Sequence, residues 1–302
     1  MYLTHSVRLY PSVEQATCLA RTCGVARFAY NWGLEHWLKL YAEGNKPSWI
    51  TISRELNAVK HERFPWMSDV TKWAVSGAMR DLGCAFANFY ARRAGRPKFK
   101  KKGTKESFYV SGYGRGFHVD GKKVFLPRLG WIRMAQTVRF PGRITSARVF
   151  KDGEFWVAAF RVDIDETKWA YPHPCENQAG VAGVDFGILD LMVVYDGTAA
   201  QRISNRRFDR KYRAKLRHAH QRLSRRKKGS RNWHKAKVQL ARVYSDVRSA
   251  RQNLAHQLTT LLVRRFGVIA FEGMLVSGLF RRGRTTAKRG INRAIIDAAW
   301  GQ

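Results

Sequence analysis

Two acidic residues stand where acids are costly. Asp185 lies in Gly180-Val-Ala-Gly-Val-Asp-Phe-Gly187, a short apolar run with β-branched Val181 and Val184 and a closing glycine. Such a run reads as a buried β-strand. Glu272 ends a second run of the same kind, Gly267-Val-Ile-Ala-Phe-Glu-Gly273. An ionised carboxylate on a core strand is expensive unless something compensates it, and a divalent cation does so well. The alternative for Asp185 is a strand-end position in water, or pairing with one of many arginines. Between Tyr212 and the C-terminus only three acids occur, Asp246, Glu272 and Asp297, in a region crowded with Arg and Lys. If the two strands are neighbours, Asp185 and Glu272 converge on one cation. Paired carboxylates around Mg²⁺ are the usual centre for phosphodiester hydrolysis.

The charge balance points to the substrate. The chain has 302 residues, 56 of them basic and 22 acidic, for a formal net charge of +34. The natural partner of such a chain is a polyanion. An anionic membrane fits less well, because a membrane-surface protein concentrates its charge on one amphipathic helix. Here the charge spreads from residue 92 to residue 293. Two clusters stand out. In Arg92–Lys102 seven of eleven residues are basic, including Arg96, Lys98, Lys100, Lys101 and Lys102, and Gly95 and Pro97 forbid a regular helix there. The second cluster is Arg225-Arg226-Lys227-Lys228, with Arg231 just beyond. A solvated surface is the bland reading of each; a phosphate-contacting loop is the functional one. Cys18, Cys23, Cys84 and Cys175 form no C-x-x-C pair, so core or free thiols are expected and zinc is not. No signal pattern and no membrane-length apolar run occur, which predicts a cytosolic protein without a membrane partner.

The elements that must position the acids are legible in outline. Leu3–Tyr10 reads as a strand. Ser12 and Gln15 form a capping-box signature for a helix running to about Tyr41. Two further helices are predicted, roughly 52–61 and 70–90, the second with Val75, Met79, Leu82, Phe86 and Phe89 on one face. From Phe108 to Asp165 turn signals recur between alternating runs, which suggests a small barrel closed by the N-terminal strand. After a linker at 169–178 come the Asp185 strand, a strand at 191–195, a tight turn at Asp196-Gly197 and a third strand to about Ser204. Two basic helices follow, the second with a stripe of Val243, Val247, Leu254, Leu258 and Leu261. Then come the Glu272 strand and a short helix at 291–300. Three antiparallel strands, a helical excursion and a strand parallel to the first make the start of a ribonuclease-H-like domain.

The chain resembles the transposon-encoded TnpB (OrfB) proteins, small RNA-guided nucleases related to the type V CRISPR effectors. The matching pieces are Tyr10-Pro-Ser-x-x-Gln15 with Tyr30-Asn-Trp32; Gly95-Arg-Pro-Lys-Phe-Lys100; Leu126-Pro-Arg-Leu-Gly130; Gly183-Val-Asp-Phe-Gly187 with Asp196-Gly197; the Arg225–Ser230 turn; Ala270-Phe-Glu272; and Ile295-Ile-Asp-Ala-Ala-Trp-Gly301. Each is weak alone; their order and spacing over nearly the whole chain are specific.

The resemblance implies an α+β multidomain architecture. A wedge-like β-barrel (1–10 and 104–170) is split by a helical recognition block (11–103), and an incomplete ribonuclease-H-like (RuvC) α/β domain follows (171–302). It implies Asp185 and Glu272 as catalytic metal ligands, a guide RNA from the transposon end, and a double-stranded DNA target. Two departures count. The family's zinc ribbon and third catalytic Asp follow the Trp-Gly segment, beyond Gln302, and Asp297 and Asp190 do not replace that Asp. Gly273 stands where the family has a second acid. The expectation is an RNA-guided endonuclease weakened in cleavage. The alternatives are a nuclease-inactive, repressor-like binder acting by occupancy, and a transposon remnant.

Overall fold

The computed structural model describes residues 1–112, 116–165, 167, 175–273 and 285–298. The chain divides into two compact units, Met1–Trp169 and Ala170–Gln302. In the first, β1 (Tyr2–Tyr10) precedes α1 (Val13–Ala42), α2 (Trp49–Arg63), a 3₁₀ turn (Pro65–Asp69) and α3 (Lys72–Tyr90). Then come β2 (Ser107–Ser111), β3 (His118–Asp120), β4 (Lys123–Leu126), β5 (Gly130–Met134), β6 (Arg143–Asp152) and β7 (Phe155–Asp163).

These strands form one antiparallel sheet in the order β2-β6-β7-β1-β5-β4-β3. The N-terminal strand is central, between β7 and β5, rather than a closing edge. Among the described residues β2 and β3 end the order and do not pair. The alternating sequences work as period two requires: Val7, Leu9, Val124, Ile132, Met134, Ala158 and Phe160 are buried on one face.

The capping box at α1 forms as the sequence predicts. Ser12 Oγ accepts from the Gln15 N–H at 3.2 Å, and Gln15 Oε1 accepts from the Ser12 N–H at 3.0 Å. Gln15 Nε2 also donates to the Leu129 and Trp131 carbonyls, at 3.1 and 2.9 Å, which fixes the helix start to β5. The predicted stripe of α3 is the buried one: Val75, Met79, Leu82 and Phe86 face inward, and Trp37 of α1 stacks on Phe86 at 4.1 Å. Gly77 lets α3 lie against β2, since a Cβ there would meet the Tyr109 Cβ at 2.8 Å.

The second unit holds β8 (Val181–Phe186), β9 (Asp190–Tyr195), β10 (Ala200–Ser204), α4 (Phe208–Ser224), α5 (Arg231–Arg265), β11 (Val268–Phe271) and a helix, here α6, at Thr286–Ala298. The sheet order is β10-β9-β8-β11. The first three strands are antiparallel, and β11 runs parallel to β8 after the two-helix excursion, in the order the sequence predicts. One face packs on α5 through Leu258, Leu262 and Phe266. The buried stripe of α5 therefore ends on Leu262, four residues after Leu258, and Leu261 is exposed. The last helix starts at Thr286, ahead of the expected Ile291. The Tyr113–Arg115 segment, most of the 169–178 linker and Trp300-Gly301 lie outside the described residues. No helix among the described residues is long and apolar enough to cross a membrane.

Candidate active site

The strand carrying Asp185 is half-buried rather than buried on both faces. Ala182 and Val184 point into the core against α5, whereas Val181, Gly183 and Asp185 point to solvent. This corrects the expectation of a carboxylate inside the core. A strand covered on one face needs only every second residue apolar, and Asp185 occupies an outward position.

β11 lies beside it in parallel register, with Val268 opposite Val181 and Phe271 opposite Val184. Glu272 is the next residue. Carried one step further, the register sets it beside Asp185 on the same open face, on strands about 4.8 Å apart. Among the described residues a Cβ built on Gly183 or Gly273 meets nothing within 4 Å. The seam holding the strands in register begins at Gly180 and Gly267, whose role is not evident from the sequence motifs alone. The Gly267 N–H reaches the carbonyls of Asn177 and Gly180 at 3.1 and 3.0 Å, and the Val268 N–H donates to Gly180 at 3.1 Å. A side chain at Gly267 would run into the Gln178 backbone. The one sequence signal for this seam is that both runs open on glycine.

Most other acids of this unit are already neutralised. Glu176 pairs with Arg264 at 3.5 Å, Asp190 with Arg202 at 3.6 Å, and Asp209 with Arg213 at 3.7 Å. Asp196 sits 3.7 Å from Arg265 and also caps its own turn, accepting from the Thr198 and Ala199 N–H groups and the Thr198 hydroxyl at 2.7–3.0 Å. Those bonds, the one from Ala199 foremost, hold its pKa down at about 2. The turn centres on Gly197-Thr198, with Gly197 at φ +92° and the Asp196 N–H closing on the Ala199 carbonyl. Asp185 and Glu272 have no ion-pair partner among the described residues, although 16 basic residues lie between Arg202 and Lys237 alone. Among the described residues no group of three or more His, Cys, Asp or Glu gathers at one point. A pair of exposed carboxylates is a donor set that suits Mg²⁺, which takes one or two carboxylates and completes its shell with water and substrate phosphate.

Asp297 has a different task. It is buried on α6, where its Oδ1 accepts from the Asp209 backbone N–H at 2.8 Å and from Arg251 Nη2 at 2.9 Å. It caps α4 from outside, since Arg207 at that helix's N-cap makes no side-chain cap bond.

Of the predicted phosphate contacts, Arg225, Arg226, Lys227, Lys228 and Arg231 are exposed on the α4–α5 turn, which Ser230 closes by accepting from the Trp233 N–H at 3.1 Å. The turn lies a 17-residue helix from the sheet, on the order of 25 Å along its axis. Arg96, Lys98, Lys101 and Lys102 are exposed, and Lys100 is set apart. Its backbone exchanges two bonds with the Asn31 amide, at 2.8 and 3.0 Å, and its ammonium lies 3.9 Å from the Tyr30 ring centroid. Burial, the largest influence, pushes its pKa below the ordinary lysine value.

A mixed α/β chain of strongly basic composition, whose sheet carries an unpaired Asp beside a strand that leads into a Glu, fits a nucleic-acid-processing class. The comparisons agree. Residues 159–283 match a family model of the OrfB type, described as "Probable transposase", and residues 1–46 match its "Helix-turn-helix domain". In this chain the latter stretch is a strand and one unbroken 30-residue helix. A Streptomyces pristinaespiralis protein named "Putative RNA-guided DNA endonuclease" is 32% identical over 97% of this chain and 70% of its own. "Putative RNA-guided DNA endonuclease InsQ" of Escherichia coli K12 is 27% identical over 97% of this chain and 73% of its own. A Cas12f1 chain, solved with sgRNA and target DNA, superposes with a TM-score of 0.52 at 11% identity, covering 97% of this chain and 86% of that one, and so shares its fold. The chain belongs to the TnpB (OrfB) family.

Proposed function

We propose that this chain is an RNA-guided DNA endonuclease whose cleavage centre is the pair Asp185 and Glu272. The observation that supports the reading is the parallel pairing of β8 with β11; carried one residue past Phe271, that register would set Glu272 beside Asp185. In this reading residues 171–302 form a ribonuclease-H-like (RuvC) nuclease domain, residues 1–10 with 104–170 a wedge barrel, and residues 11–103 a helical recognition block. The guide is a transcript of the transposon end, the target is duplex DNA, and the protein works in the cytosol. The names of the relatives support the RNA and DNA partners.

Asp185 and Glu272 would hold Mg²⁺, which, when bound, supplies Lewis-acid polarisation of the phosphate and activation of water. The chain's own residues do the rest. The open face lets a single strand approach without moving the core. The Gly180–Gly267 seam fixes the separation of the acids. Arg225–Lys228, a helix length from the sheet, and Arg96, Lys98, Lys101 and Lys102 neutralise backbone phosphates.

The test is cleavage of a plasmid carrying the target by the full chain loaded with guide RNA in Mg²⁺. Asp185→Ala and Glu272→Ala each abolish cleavage and leave guide affinity within about twofold, because binding is spread over many cations. Undiminished cleavage by either variant removes the site assignment.

A further inference from the structure

A basic cavity lies at the end of the second unit's sheet that carries Asp185. Its volume is about 290 Å³, and its lining includes Ile188, Asn205, Arg207, Arg210, Arg213 and Arg293. Asn205 ties it to the strand. Its Nδ2 donates to the Ile188 carbonyl at 3.2 Å, in the loop after Asp185, and its Oδ1 accepts from the Arg207 N–H at 2.9 Å, at the start of α4. Arg207 stands there at φ +45°, a left-handed conformation uncommon for a residue with a Cβ. Arg210 follows one turn on, on the same side of α4. α6 supplies another wall. Its Asp297 accepts from the Asp209 N–H at 2.8 Å, and Arg293 stands one turn earlier on the same side of that helix.

The charge in the cavity does not balance. Two acids line it, Asp209 and Asp297, but Asp209 lies 3.7 Å from Arg213 and Asp297 lies 2.9 Å from Arg251. Arg207, Arg210 and Arg293 are exposed and have no acid partner among the described residues. Like charges repel, so a merely solvated surface gains nothing by gathering three arginines onto one concavity. A phosphate does gain, since guanidinium groups offer its oxygens two-pronged, charge-assisted bonds. Ile188 follows Asp185 by three residues, so about 11 Å of chain at most separates them. A strand with one phosphate at Asp185 therefore has a neighbouring phosphate within reach of the cavity.

We propose that Arg207, Arg210 and Arg293 hold a phosphate beside the scissile one and so position the DNA strand at Asp185 and Glu272. That the occupant is a DNA strand being cut rests on the function proposed above. The arginines bind the strand and take no part in proton or metal chemistry, so their loss falls on strand placement and leaves the guide bound.

The experiment uses the full chain loaded with guide RNA, and targets in which single phosphates flanking the cut are replaced in turn by neutral methylphosphonates. In the parent, one such replacement beside the cut slows cleavage by about tenfold or more. Arg210→Gln with Arg293→Gln slows cleavage of the natural target by a similar factor, and the same methylphosphonate then slows it no further. Guide affinity stays within about twofold of the parent. Cleavage by the double variant at the parent rate overturns the proposal, and so do two losses that multiply. Inorganic phosphate at matched ionic strength leaves the parent rate unchanged; loss of cleavage in phosphate would make a free anion the occupant and remove the positioning role. Urea unfolding checks the double variant, and if it unfolds early the two single variants are read in its place. A second readout needs neither metal nor cleavage. Without metal, the guide-loaded chain binds hexathymidylate, and the double variant does so about tenfold more weakly by anisotropy; equal affinity overturns the site. An Asp185→Ala chain that still cuts, with the arginine losses intact, refutes the carboxylate assignment alone. An Asp185→Ala chain that does not cut, with inert arginines, refutes the arginine site alone.

Discussion

Asp297 is the acid whose removal the structure makes most expensive for stability. It is 9% exposed, and its partner Arg251 is 16% exposed. One oxygen serves two donors, Arg251 Nη2 and the Asp209 N–H at the start of α4. Breaking a buried ion pair by removing one member costs roughly 3–5 kcal/mol, because the other charge stays buried alone. Losing the cap of a helix adds about 1 kcal/mol, though the two costs overlap on one carboxylate and do not sum in full. Asp297→Ala should therefore destabilise the Ala170–Gln302 unit by about 3–5 kcal/mol. Asp297→Asn keeps an acceptor for the Asp209 N–H and loses only the charge, so it should cost about half as much. Replacing Arg251 and Asp297 together by Leu should recover much of the destabilisation, since both line an apolar cavity with Phe208, Leu254 and Leu258. The assay is urea denaturation, with the second unit's transition compared at constant slope. An Asp297→Ala variant within about 1 kcal/mol of the parent would refute the reasoning. So would a double-Leu variant no better than the single.

Other perturbations bear on the site and its surroundings. Gly267→Ala should disrupt the β8–β11 seam, costing about 2 kcal/mol or more from strain and broken strand bonds, and should reduce cleavage with guide affinity intact; wild-type unfolding and cleavage would show that the seam tolerates a side chain. The Asp196 carboxyl is held down in the folded chain, so what it contributes to the hairpin is fully present above the ordinary carboxylate pKa of about 4 and fades as pH falls toward about 2. The amide shifts of Thr198 and Ala199 should follow that low midpoint, and a midpoint near the ordinary carboxylate value would refute the turn geometry. Neutralising Arg225, Arg226, Lys227 and Lys228 together should lower the salt slope of guide binding by about 0.7 for each phosphate left unneutralised, without altering sequence preference; an unchanged slope would remove the turn from the interface.

How far the sequence carries the fold depends on what each signal encodes. Period and punctuation are local, and they locate the helices, the Ser12–Gln15 cap and the strand order around Asp185. Local signals do not say how many faces of an element are covered. Val181-Ala-Gly-Val-Asp-Phe186 looks apolar throughout because glycine and an exposed valine stand on the outer face. Only the position of α5 shows that one side is open. Leu261 and Leu262 illustrate the same limit, since either continues a helical stripe and only the packing of the sheet chooses between them. Lys100 looks like its basic neighbours in sequence, yet Tyr30 and Asn31, some 69 residues earlier in the chain, claim it.

The acids divide by what surrounds them. In the second unit Glu176, Asp190, Asp196, Asp209 and Asp297 each lie within ion-pair distance of a guanidinium, whereas Asp185, Asp246 and Glu272 have no such partner among the described residues. What separates Asp185 and Glu272 from Asp246 is where they stand: Asp246 is exposed on α5, and the other two lie on or just after neighbouring strands. For Asp185 the position is outward on the strand, with Gly183 and Gly187 two residues to either side, neither of which can neutralise it. For Glu272 it is the step just after β11, with Gly273 beyond. An arginine at either site would occupy the carboxylate that a cation and a scissile phosphate need. Substituting Gly183 by Arg is therefore the sharpest probe of the arrangement: it adds a charge that should raise affinity for nucleic acid and should still abolish cleavage. A Gly183→Arg variant that folds, binds guide and cuts at the parent rate would show that Asp185 is not used.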